Sequence, residues 1–326
     1  MLPSLDQIHE AQNFIYRYMP PTPQYTWPLI NQRLDAEAWI KHENHTPVGA
    51  FKLRGALVYV SWLKQAQPTL IGVVGATRGN FGQGVAMAAR LLGLKSVIVV
   101  PYGNSVDKNR AMIAQGAELV EHGSDFQESL EFARKLAADR CFAFVESFHE
   151  QLVLGTATYA VEFFKSAPPL HRVYVPIGLG SSICGMAAAR NTLRLQTEIV
   201  GVASAACPAI ALSFRQRQLV EAPARTLIAD GLACRRPNPS ALEIIWTNVA
   251  RIVEVTDDEI SDAISVYYED THNVAEGAGA ASLAAAIKEK SELRGKRAGI
   301  ILTGGNIDRD TLVASLRGNF QSARSA

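Results

Sequence analysis

The chain has almost no net charge. Its 326 residues include 32 basic and 31 acidic side chains, a formal balance of +1, with no long run of one sign. That excludes the electrostatic footprint of a nucleic-acid binder or of a protein held on an anionic membrane. Any charged ligand must be met by a local arrangement. Cysteine is also scarce: Cys141, Cys184, Cys207 and Cys234 follow no C-x-x-C spacing. This argues against a zinc site or a disulfide framework and predicts buried free thiols in a reducing compartment. The seven histidines show neither metal-ligand spacing nor a partnered serine or cysteine motif. No segment reaches the about 18 consecutive apolar residues of a membrane-spanning helix. Residues 1–20, "MLPSLDQIHEAQNFIYRYMP", carry acidic side chains and lack the apolar core of a signal peptide. A cytoplasmic protein is expected, without repeats, low-complexity tracts or a Pro/Gly/Ser-rich linker.

What is present is an ordinary globular composition. A 48% hydrophobic content at this length supports two domains or one large α/β unit. From residue 70 onward, short β-branched runs alternate with helical stretches. "LIGVVGA" precedes "NFGQGVAMAARLLG", "SVIVVP" precedes "SVDKNRAMIAQG", and "AELVEHG" precedes "DFQESLEFARKLAAD". A second series follows with "RVYVPIG", "SSICGMAAARNTL", "EIVGVAS" and, near the end, "RAGIILTGGN". Strands separated by helix-length segments predict mostly parallel sheets. A helix is expected over Asp257 to Asn273, opening on acidic residues that suit a helix N-terminus.

Three strand ends carry small, hydroxyl or amide residues. At residues 173–185, "VYVPIGLGSSICG", a strand feeds Gly178, Leu179, Gly180, Ser181 and Ser182 at the start of a helix. This is a favourable setting for a phosphate dianion, although many α/β turns are glycine-rich for packing alone. "GATRGNFGQG" offers Thr77, Arg78, Gly79, Asn80 and Phe81 in a turn suited to a carboxylate or a cofactor oxygen, and "ILTGGN" ends a strand in Thr303. Loops at the carboxyl ends of parallel strands converge on one crevice. A dinucleotide is disfavoured: Gly178, Gly180 and Gly185 miss the G-x-G-x-x-G spacing, and no ribose-binding acid follows about 20 residues on.

Lys52 lies in "NHTPVGAFKLRGA", among glycine, alanine, phenylalanine and leucine. Two readings stand. A lysine can lay its methylenes on an apolar surface and extend its charge into water. Alternatively, partial desolvation lowers its pKa and frees the amine as a nucleophile for a Schiff base, which requires an aldehyde cofactor.

Taken together, "GAFKLRGA", "TRGNFGQG", "GLGSS", "IADGLA", "AEGAGAAS" and "LTGGN" resemble, in that order, the motifs of fold-type II pyridoxal-phosphate enzymes of the threonine dehydratase and serine racemase group. The resemblance runs over nearly the whole chain. It implies a tryptophan synthase β-like α/β fold of two domains. Residues 1–70 plus 149–326 would form a large domain that binds pyridoxal 5'-phosphate, residues 71–148 a small domain carrying the substrate loop, with the cofactor in the cleft between them. Carried over by position, Lys52 would be the Schiff-base lysine and move the proton at the substrate Cα. Phe51 would pack near the cofactor ring, Asn80 would bond its 3-oxygen, and the amides of Gly178, Leu179, Gly180, Ser181 and Ser182 would hold its phosphate. Thr303 would face the pyridine nitrogen, and Glu276 would sit beside the cofactor. Thr77, Arg78, Gly79, Asn80 and Phe81 would grip the substrate carboxylate. The implied reaction is β-elimination from a 3-hydroxy amino acid to a 2-keto acid and ammonia, by a homodimer.

The chain departs from that pattern in places. Arg78 stands where the racemases carry a serine that protonates Cα, and a guanidinium is no ordinary acid or base near neutral pH. This disfavours a racemase. Phe81 replaces a histidine and, with Arg78 able to stack on a ring, points to a bulky substrate such as 3-phenylserine. Arg78 could instead pair with the distal carboxylate of 3-hydroxyaspartate. Ser204 follows the strand at which metal-dependent relatives carry a glutamate, so no activating divalent cation is expected. The chain ends soon after "LTGGNID", and no C-terminal regulatory domain or isoleucine feedback is expected. A non-catalytic amino-acid or nucleotide-binding protein would explain the glycine loops but leave Lys52 without a role.

Overall fold

In a computed structural model that describes residues 2–318 and 320, the alternation becomes two sheets. The larger holds β1 (Gln24–Thr26), β2 (Glu37–His42), β7 (Arg172–Pro176), β8 (Glu198–Ser204), β9 (Arg251–Val255) and β10 (Arg297–Leu302). Their spatial order is β1-β2-β10-β7-β8-β9. The smaller holds β3 (Gly72–Ala76), β4 (Lys95–Val100), β5 (Glu118–Glu121) and β6 (Ala143–Phe144), in the order β5-β4-β3-β6. Every pairing is parallel except β1 with β2. Strands such as β3, buried along all five residues, read as continuous apolar runs because parallel sheets are covered on both faces.

Helices cover those faces in three apolar clusters that matter for the site. The Gly277–Lys288 helix packs in one cluster with the larger sheet, through Ala280, Ala281, Leu283 and Ala284 against Val200, Ile300 and Leu302. The Glu150–Ser166 and Ser181–Thr192 helices share a second with Val173 and Val175 of β7. The Lys52–Ala66 helix joins a third, with the Asn80–Leu91 helix and residues Val73 and Ile98 of the smaller sheet. Lys52 therefore begins a helix that enters the smaller sheet's core, while Ala50 and Phe51 just before it are tied to the end of β10. Ala50 forms an antiparallel bridge with Gly304, and Phe51 N–H donates to the Thr303 carbonyl at 3.0 Å.

Glycines are required where helices nearly touch. A Cβ on Gly155 would come within 2.5 Å of the Arg54 carbonyl, and one on Gly185 within 2.7 Å of the Ala157 nitrogen. The Glu150–Ser166 helix thus lies wedged between the Lys52 helix and the Ser181 helix.

Two expectations need adjustment. The helix from Asp257 opens on a Thr256/Glu259 capping box but ends at Thr271, because His272 takes the left-handed conformation (φ 54°) and caps it. All four cysteines are free, yet Cys141 is exposed rather than buried, on a turn where its own φ is 54°. Among the described residues, no helix is long and apolar enough to cross a membrane, and no group of three His, Cys, Asp or Glu side chains could hold a metal ion.

Candidate active site

The carboxyl ends of β3, β7 and β10 present the three loops singled out in the sequence, and a chain of contacts joins them around Lys52. Lys52 is only partly covered, with its Nζ 4.8 Å from the Phe51 ring centroid. Burial among these groups lowers its pKa from the ordinary 10.5 to about 8, against the opposing pull of the Glu276 carboxylate. A substantial neutral-amine fraction is then present near pH 8. Burial also raises the Glu276 carboxyl, while Lys108, the Asn80 amide and Lys52 pull it down.

Glu276 and Asn306 orient Asn80. The Asn80 Nδ2 donates to Glu276 Oε1 at 2.7 Å, and Asn80 Oδ1 accepts from Asn306 Nδ2 at 2.8 Å. Asn306 Nδ2 also donates to the Val48 carbonyl at 2.8 Å, so the loop before Lys52, the β10 end and the β3 end are locked together. Glu276 N–H donates to Gly304 at 3.0 Å, and a Cβ on Gly304 would lie 2.6 Å from Glu276 Oε1. Thr303 is buried at the end of β10, where its carbonyl accepts the Phe51 N–H.

At the β7 end, Gly180 has φ 104°, which a side chain would strain, and it opens the Ser181–Thr192 helix. Gly178 approaches the Gly231 carbonyl so closely that a Cβ would clash. Gly178 and Leu179 are half-buried; Ser181 and Ser182 are buried. The Ser181 carbonyl accepts from Thr156 Oγ1 at 2.7 Å, and the Ser182 hydroxyl lies 2.6 Å from Tyr159 Oη.

In the facing loop, buried Thr77 accepts the Gly79 N–H at its Oγ1 (3.1 Å), and Gly79 is buried and extended (φ 176°). Arg78 is exposed. Phe81 retains 9% exposure and belongs to the apolar cluster of the Lys52 and Asn80 helices. Its ring is thus largely spent on the core, leaving Arg78 as the free feature of the loop.

Sequence reasoning did not find Lys108, which reaches across from the Val106–Ala114 helix to Asp230 at 2.8 Å and passes its side chain over Gly79. A lone lysine on an amphipathic helix gives no local signal. Tyr159 was also missed, although polar Thr156, Thr158, Tyr159 and Glu162 in the otherwise apolar "LVLGTATYAVEFF" could have flagged it.

An amine of lowered pKa beside a buried carboxylate, with a helix N-terminus and strand-end loops around it, defines an α/β enzyme built for an aldehyde cofactor bearing a phosphate. The comparisons agree. The family model described as pyridoxal-phosphate dependent enzyme matches residues 15–304, and the chain belongs to that family, in the group that holds threonine dehydratases and serine racemases. It is 31% identical to an L-threonine ammonia-lyase of Thermotoga maritima over 94% of this chain and 76% of that protein. It is 32% identical to an L-threo-3-hydroxyaspartate ammonia-lyase of Saccharomyces cerevisiae, over 94% of each. A maize serine racemase structure superposes with a TM-score of 0.90 at 26% identity, covering 99% of both chains.

Proposed function

We propose that this enzyme, a pyridoxal-phosphate-dependent lyase, removes the β-hydroxyl and α-amino groups of an L-3-hydroxy amino acid of the threonine and serine type, giving a 2-keto acid and ammonia. The observation that carries the reading is Lys52: a partly buried amine with its pKa near 8, adjoining Glu276, at the meeting point of the strand-end loops. The residues present suit the cofactor. Lys52 offers the amine for its aldehyde, the Asn80 amide a donor for its ring oxygen, Thr303 a hydroxyl for its pyridine nitrogen, and the amides of Gly178 to Ser182 a cradle for its phosphate. Phe51 lies beside the Lys52 amine and would border the ring.

When bound, pyridoxal phosphate supplies an electron-withdrawing ring that acidifies the substrate Cα. Lys52, as the neutral amine, takes the Cα proton. The Cα–H electron pair forms the Cα–Cβ double bond as the Cβ–O bond breaks, and the hydroxyl leaves as water with the proton that Lys52 has taken. The released enamine takes up water and loses ammonia. The loop of Thr77, Arg78, Gly79, Asn80 and Phe81 holds the substrate carboxylate through backbone N–H groups and the Thr77 hydroxyl. Glu276 holds Asn80 in place and, with Lys108 and Asp230, closes one wall.

Within this class we favour a β-substituent larger than a methyl group, with 3-phenylserine stacked on Arg78. The exposed guanidinium supports a second reading, 3-hydroxyaspartate with its distal carboxylate on Arg78. Keto-acid release compared across threonine, 3-phenylserine and 3-hydroxyaspartate decides between them. An Arg78→Ala variant is expected to lower kcat/KM about 10-fold or more for the preferred bulky substrate and little for threonine. A preference for serine in the parent enzyme overturns both. We further propose that residues 1–70 and 149–326 form the cofactor-binding domain, that 71–148 form the substrate-loop domain, and that the enzyme is a homodimer.

The Lys52 pKa also sets a pH dependence. The folded, cofactor-free chain releases this proton near pH 8, whereas the unfolded chain keeps it to 10.5. Between those values the unfolded state binds more protons, so stability rises with pH. Urea melts of the cofactor-free chain are expected to show that rise from pH 8 to 10, and Lys52→Met to flatten it.

A further inference from the structure

Tyr159 and Ser182 are a buried hydroxyl pair whose protons do not balance within the pair. Tyr159 is completely enclosed, its ring edge-on to Phe51 with centroids 6.3 Å apart. Its Oη lies 2.6 Å from Ser182 Oγ, and either atom is able to donate. Two hydroxyls carry two protons, but one contact uses only one. Were Ser182 the donor, the phenolic proton would be shut into an apolar cluster with no other acceptor bonded to it among the described residues, a costly arrangement for a buried polar group. The phenol is also the more acidic hydroxyl, and burial holds it neutral. Tyr159 therefore donates and Ser182 accepts, which leaves the Ser182 proton for another acceptor.

Ser182 is the second residue of its helix, directly after the Gly178–Gly180 turn, where free backbone N–H groups converge. The adjacent Ser181 carbonyl is already occupied by Thr156 Oγ1. The free hydroxyl proton therefore lies at the end of the helix suited to an anion.

We propose that Tyr159 is a positioning residue that turns the Ser182 hydroxyl into a hydrogen-bond donor for the phosphate group held by the Gly178–Ser182 loop. The proposal rests on the assignment of that loop to the cofactor phosphate. Tyr159 does not touch the ligand; it acts through Ser182 and packs on Phe51, beside the reacting amine.

The test uses the full-length, cofactor-free chain and compares its dissociation constants for pyridoxal 5'-phosphate and for pyridoxal, which lacks the phosphate. Their ratio isolates the phosphate's share of binding and is insensitive to a general loosening of the fold, which weakens both together. Tyr159→Phe, which keeps the ring against Phe51, is expected to shrink the ratio about fivefold to tenfold through loss of a charge-assisted hydrogen bond. Ser182→Ala should do the same, and the double variant should lose no more than either single one. Unchanged ratios in both single variants, or losses that multiply in the double variant, overturn the proposal. A parent chain that binds the two compounds equally overturns the loop assignment itself, and with it the role of Tyr159.

Discussion

Lys52→Ala is expected to abolish keto-acid release, with kcat falling by at least about 10³-fold, because in the proposed mechanism nucleophile and proton carrier are lost together. The measurement is keto-acid production from the preferred substrate, alongside the visible absorbance that appears when pyridoxal phosphate is added. The parent chain should develop a band that borohydride reduction fixes to the protein, and the variant should not. Retained turnover in the variant, or no band in the parent, would remove Lys52 from the chemistry and favour a non-catalytic binding protein. The variant should fold, since the buried contacts of its helix are made by Leu53, Arg54 and Leu57 rather than by the amine.

The second large effect is on stability. Arg54→Met is expected to cost about 3–5 kcal/mol, because it leaves two buried carboxylates with a single cation. The Arg54 guanidinium, with no exposed surface, donates to Glu43 at 2.8 and 3.0 Å and to Glu162 at 2.6 and 2.9 Å. Lys41 Nζ completes the cluster at 2.7 Å from Glu162, and Tyr16 donates to Glu162 at 2.9 Å. The adjoining cations hold the Glu162 carboxyl down despite its burial, and burial depresses Lys41. Urea unfolding of the cofactor-free chain measures the loss. Adding Glu43→Gln to Arg54→Met should recover part of it by restoring charge balance. A melt unchanged by Arg54→Met would show that the cluster is more hydrated than its enclosure implies.

These two residues, two positions apart in one helix, also mark what the sequence makes legible and what it hides. Lys52, Asn80, the Gly178–Ser182 turn and Thr303 stand out because their signals are local: a lysine among small and apolar neighbours, and glycines, hydroxyls and an amide directly after apolar strands. The β-runs from Gly72 onward are equally legible, since parallel strands covered on both faces are uninterrupted apolar runs. The pairing of β2 beside β10 is not legible, because nothing in "EAWIKH" specifies a partner near the opposite end of the chain. The Arg54 cluster escapes for the same reason: Lys41 and Glu162 meet across 121 positions, and each alone reads as a surface charge. Phe81 and Arg78 read as a pair in the sequence, yet Phe81 lies in the first turn of the Asn80–Leu91 helix and enters the core, whereas Arg78 sits in the turn before that helix and is exposed. Their closeness in sequence conceals that divergence.

The Glu150–Ser166 helix gives the site a fixed gauge. Gly155 seats one of its sides on the Arg54 carbonyl, and Gly185 of the next helix seats against Thr156 and Ala157 on another. The Lys52 helix and the Ser181 helix are therefore spaced by a helix packed between them, whose girth is set by covalent geometry and hydrogen-bonded turns rather than by loop conformation. Loops drift as temperature rises, but a helix diameter does not. A cofactor tethered at both ends by these two helices would be held at constant reach over the whole range in which the fold survives.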